Sequence, residues 1–101
     1  MDLIKEQVKS SRKYIIDLRR HFHMHPEVGG EEHETQKKIM AELTAMGLKP
    51  RAAGGTGVLA DIPGKAGGRL VAMRADIDAL PLTDEIDQPY RSRRSGVCHA
   101  C

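Results

Sequence analysis

The sequence predicts an α/β fold left incomplete: two helices, then a β-hairpin of a mixed sheet, then a long loop. Three observations carry that expectation. Apolar residues recur at three- and four-residue intervals through positions 3–24 and again through about 31–46, the period of helices with one buried face. Two β-type runs, 57–62 and 69–75, flank the turn composition Pro-Gly-Lys-Ala-Gly-Gly. Beyond residue 75 the chain is polar and interrupted by Pro81 and Pro89, so the later elements of the layer are absent.

In the first helix, Ile4, Val8, Ile15, Leu18 and Phe22 form the apolar stripe, with Ser11 filling the gap. Lys5, Glu6, Lys9, Arg12, Lys13, Asp17 and Arg20 make the solvated faces. Pro26 stops this helix, because its ring restricts the preceding residue and its nitrogen donates nothing. The second helix is expected to carry Glu31, Glu32 and Glu34 in its first turn, where negative charge suits the dipole. Ile39, Leu43 and Met46 would be its buried stripe and Gly47 its stop. Leu70, Val71, Ala72 and Met73 follow one another without alternation, the pattern of a strand buried on both faces. That strand is expected to pair with 57–62.

Composition narrows the function. With 3% aromatic residues, the core must rest on aliphatic side chains. A net charge of +2 is too small to imply nucleic acid or a membrane as partner. No run approaches the roughly 18 apolar residues of a membrane span, and the N-terminus lacks the apolar block of a secretory signal. A cytoplasmic location is the expectation. Cys98 and Cys101 both lie in the last four residues, which argues against a disulfide framework.

Three clusters could carry chemistry. His21, His23 and His25 sit two apart at a helix end, so they point to different faces and cannot converge on one ion while the helix persists. They read as packing and capping groups there, where a protonated ring also suits the dipole, or as contacts to substrate. Asp76 and Asp78 flank Ile77 at the end of the apolar strand, so alternation would send both carboxylates to one face. Such a pair needs a cation, an arginine or a shared proton between them, and Arg74 offers one answer. Ser-Gly-Val-Cys-His-Ala-Cys (95–101) supplies thiolates suited to zinc and related ions, in a structural knuckle or a catalytic site. The basic run at Arg91, Arg93 and Arg94 reads as a solvated or anion-contacting loop.

These segments together resemble the N-terminal part of metal-dependent N-acyl-amino-acid amidohydrolases of the hippurate hydrolase, aminoacylase and auxin-conjugate hydrolase types. Four blocks carry the resemblance: L-R-R-H-F-H-M-H-P-E-V-G-G-E-E-H-E-T (18–35), G-T-G-V-L-A-D-I-P-G (55–64), R-A-D-I-D-A-L-P (74–81) and S-G-V-C-H-A-C (95–101). The resemblance implies a partial zinc-peptidase-like catalytic domain over residues 1–101, with the rest of that domain and a dimerisation domain lying elsewhere. It makes Cys101 the metal ligand and Asp78 the catalytic-site aspartate that orients a metal-bound ligand. Asp76 stands where many relatives place a histidine ligand, and Cys98 where they carry a hydrophobic residue, so its thiol reads as incidental. The implied cofactor is a pair of divalent ions (Zn, Mn, Co or Ni), the implied substrate an N-acyl amino acid, and the implied parent a homo-oligomer. The competing reading is a small metal-binding or interaction module built on Cys98, His99 and Cys101.

Overall fold

The computed structural model describes residues 2–101. Helix α1 spans Asp2–Met24, uninterrupted because no glycine or proline occurs before Pro26. Its stripe is only partly used. Leu18 and Phe22 are half-buried, whereas Ile4, Val8 and Ile15 are exposed, 63%, 62% and 55% open to solvent. The continuous buried stripe expected from periodicity is thus confined to the last two turns. Tyr14 ties α1 to the second helix by donating its hydroxyl to Glu42.

Helix α2 spans His33–Ala45, two residues later than charge patterning suggests. Glu32 occupies the N-cap but makes no side-chain cap bond. Its carboxylate is buried and accepts instead from the Thr56 hydroxyl at 3.1 Å. The cap comes from Glu27, whose carboxylate accepts from the Thr35 N–H and hydroxyl, both at 2.6 Å, and from the Glu34 N–H at 3.2 Å. At the other end Gly47 has φ 87°, and the N–H groups of Gly47 and Leu48 donate to the carbonyls of Thr44 and Leu43. That double bond pattern needs a residue at positive φ, which is why glycine stands there.

The hairpin is not the one expected. Strand β1, Arg51–Ala53, pairs antiparallel with β2, Gly57–Leu59, around the turn containing Gly54 and Gly55. Gln36 of α2 holds the turn by donating to the carbonyls of Gly55 and Gly57, both at 2.9 Å. The run 69–75 forms no strand at all. Leu70 and Met73 are 95% and 98% exposed. A strand apolar on every residue requires partners on both edges and cover on both faces, and the described residues offer neither, whereas β1 and β2 need only a glycine turn to meet.

The small core lies where the end of α1, the 26–28 segment, Ala79 and the 97–98 pair come together: Pro26, Ala79, Val97 and Cys98 are its buried members.

Glu27 gives a first prediction. Its partial burial would raise the carboxyl, but donation from Thr35 (hydroxyl, then N–H) and from Glu34 N–H outweighs this and holds it below its ordinary value. A depressed carboxyl contributes stability that is complete above the ordinary glutamate range and is lost as pH falls through the folded-state value. Glu27→Ala should therefore cost about 1 kcal/mol in denaturant unfolding at neutral pH, a gap that narrows in acid. An equal gap at both pH values would show that the carboxylate charge has no part in the cap.

Candidate metal centre

Short backbone bridges assemble the site. Ala79 N–H donates to the Glu27 carbonyl at 2.8 Å, alongside a parallel bridge of Val28 with Ala79. Leu80 and Cys98 exchange both hydrogen bonds, at 2.9 and 3.0 Å, as an antiparallel pair. The Arg93 N–H caps α1 by donating to the Met24 carbonyl at 2.9 Å. These contacts bring residues 76–80 and 97–101 side by side next to the C-terminal turn of α1.

Between them lies a cavity of about 350 Å³ whose wall includes Phe22, His23, Ile39, Asp76, His99 and Cys101. Cys101 is exposed in it and Cys98 is buried. The Asp76 carboxylate meets the Arg74 guanidinium at 2.8 Å, an exposed pair. Asp78 does not line this cavity. Its carboxylate lies over Gly29, where an added Cβ would sit 3.8 Å from Oδ2. With no strand at 69–75, the expected alternation does not operate, and the two aspartates occupy different surroundings. His99 carries a buried Nε2 with no hydrogen-bond partner. Burial, then the neighbouring His23, lower its pKa, against an opposing pull from Asp78.

The three histidines separate as their spacing requires. The His21 and His25 rings meet at a tilt of 52° with centres 4.8 Å apart, and line a wider hollow with Lys37, Lys38, Arg93 and Arg94. Burial, then His25 and Lys38, push the His21 pKa down, the reverse of the protonated helix-end group the dipole argument suggests. His23 turns the other way, and its Nε2 lies 3.0 Å from Asp84 Oδ2.

Asp84 is the residue that sequence reasoning passes over. It lies in a polar run, yet it is 6% exposed. Besides His23 it accepts from the N–H groups of Ile86 at 3.2 Å and Ser92 at 2.9 Å. The Ser92 bond, outweighing burial and joined by His23 and Ile86, lowers its pKa. The only legible signal was the aspartate two residues before Ile86, the spacing of an Asx turn. Arg91 Nε donates to the Asp84 carbonyl at 2.9 Å, and the Arg20 guanidinium stacks 4.6 Å from the Tyr90 ring centre. Both basic side chains are thereby engaged with the chain itself.

A layer of helices and hairpin that delivers a thiol, an imidazole and a carboxylate to one cavity has the character of a metallopeptidase-type scaffold. No protein-family profile matches the chain. YhaA of Bacillus subtilis, described as an amidohydrolase, is 44% identical over 99 residues, which is 97% of this chain and 25% of YhaA. The N-acetyl-L-cysteine deacetylase of the same organism is 46% identical over 90 residues, covering 88% of this chain and 22% of that protein. The crystal structure of the Bacillus subtilis YXEP protein, a dinuclear metal binding peptidase from the M20 family, superposes with a TM-score of 0.86 at 39% identity. That match covers 92% of this chain and 26% of the other. The chain spans about a quarter of the length of these relatives. In sequence and in backbone it matches the N-terminal part of an M20-type amidohydrolase.

Proposed function

We propose that residues 1–101 form the first part of the catalytic domain of a metal-dependent amidohydrolase that cleaves the amide bond of N-acyl amino acids. The observation that carries this reading is the convergence of Cys101, His99 and Asp76 on one cavity. The donor set fits divalent ions of the zinc, manganese, cobalt or nickel group: a thiol open to the cavity, a carboxylate, and a buried imidazole nitrogen left without a partner. Two such ions, when bound, supply a lowered pKa for water and polarisation of the scissile carbonyl.

Within that chemistry the Cys101 thiolate would hold metal. The place of Asp78 in the R-A-D-I-D-A-L-P block suggests a ligand-orienting role, with its carboxylate lying over Gly29 and outside this cavity. Phe22 and Ile39 give the cavity an apolar wall, which would limit water around a bound amide. The deacetylase relative, named for an N-acyl amino acid, supports the substrate class. We further infer a cytoplasmic homo-oligomer acting on small molecules, with neither nucleic acid nor membrane as partner. No helix among the described residues is long and apolar enough to cross a membrane.

The full-length enzyme carrying this sequence should release free amino acid from acetyl- or benzoyl-amino acids. Chelation should abolish the release and added zinc, manganese or cobalt restore it. Turnover indifferent to chelation, or none across a broad N-acyl panel, would refute the reading.

A further inference from the structure

We propose that His23, Asp84 and Cys98 form a second cation site, apart from Cys101, suited to a borderline-soft divalent ion of the zinc class. One ligand atom from each residue lies within 4.8 Å of the other two. His23 Nε2 and Asp84 Oδ2 are already 3.0 Å apart. An ion with bonds of about 2.0–2.3 Å to nitrogen, oxygen and sulfur keeps its ligand atoms roughly 3–4 Å from one another. A small side-chain rotation brings the set to that spacing.

Three further observations point the same way. All three groups are shielded: Cys98 is 7% exposed, Asp84 6%, and the His23 side chain 13%. The Asp84 carboxylate is oriented by backbone donors, Ile86 N–H on Oδ1 and Ser92 N–H on Oδ2, the hydrogen-bonded setting that ligating carboxylates usually have. An ionised carboxylate has about four acceptor positions, so these two donors leave room for an ion in the place His23 now takes. Finally, the buried thiol lies within 4.8 Å of the buried Asp84 carboxylate, and the anionic forms of two such groups repel each other. A cation between them reverses that balance by favouring both anions. On binding, the thiol proton leaves to solvent and the imidazole proton passes to Nδ1, with no change in oxidation state.

The ion would join the last turn of α1, the turn at Asp84 and the Leu80–Cys98 bridge, which makes it a structural clip. The proposal does not rest on the amidohydrolase reading, since Cys101 takes no part in it. The test uses cobalt(II) titrated into protein carrying Cys101→Ser. A thiolate-to-cobalt charge-transfer band should grow and saturate, relative to the Cys101→Ser, Cys98→Ala double variant. Equal bands in the two proteins, or no band in either, would overturn the site and leave His23–Asp84 as a hydrogen-bonded clasp. Asp84→Asn in the Cys101→Ser background, with circular dichroism reporting the fold, guards against a variant that merely unfolds. Cobalt affinity should fall about 10-fold or more there, and an unchanged affinity with the fold intact would equally count against the site.

Discussion

Replacing Cys101 by serine in the full-length protein should cut the proposed amide hydrolysis by at least about 100-fold and lower the metal bound to the purified protein. Loss of groups that only support a ligand costs roughly 10- to 100-fold in affinity or activity, and a ligand itself should lie at or beyond the upper end. Serine keeps the size of the side chain but offers a neutral, hard oxygen where a soft thiolate stood. The substitution should also be benign to the fold, because Cys101 is exposed and is not among the buried core residues Pro26, Ala79, Val97 and Cys98. Metal analysis beside a turnover assay decides the matter. Full metal content with full activity would remove Cys101 from the centre. Lost metal with unchanged turnover would favour a structural knuckle spanning Cys98 and Cys101.

The second large effect is expected from the chain by itself. Residues 1–101, expressed alone, should show no metal-dependent release of amino acid from an N-acyl substrate. Hydrolysis of this kind needs two ions, each held by several ligands, with a general base and a shell that positions the substrate. The cavity offers one thiol, one carboxylate already paired with Arg74, and the imidazoles of His99 and of His23, the latter engaged with Asp84. The surroundings are equally open: Leu70, Val71 and Met73 stand in solvent, as do Leu3, Ile4 and Val8 on α1. Large apolar side chains left in solvent in this way favour association or loose packing. Turnover by the purified segment, free of host amidohydrolase and abolished by chelation, would overturn the inference that the missing ligands are required.

Local chemistry explains what could be read without a structure. The stop of α1 at Pro26 and the glycine stop of α2 at Gly47 depend only on the φ angles that proline and glycine permit, and both stand as expected. The separation of His23 from His21 and His25 follows from helical geometry alone. The resemblance to amidohydrolases rested on four ordered blocks of residues, and the match to YXEP extends it to the backbone.

Other features depended on partners far away in the chain. The strand expected at 69–75 had the composition of a strand, but a ladder forms only against a neighbour, and β2 found a nearer one in β1 across a glycine turn. The first-turn glutamates looked like dipole groups. Glu27, eight residues before Thr35, holds the cap instead, while Glu32 reaches Thr56. Asp84 looked like one more solvated acid until the fold laid it against His23, 61 positions earlier. By itself, then, the sequence determined the helices, their stops, and the family whose motifs it carries. Only the tertiary structure decided which strand pairs, which acids are buried, and that Cys98 joins His23 and Asp84. Propensity and backbone geometry act within a few residues, whereas ladder partners and buried hydrogen bonds belong to pairs of residues and exist only after both have been brought together.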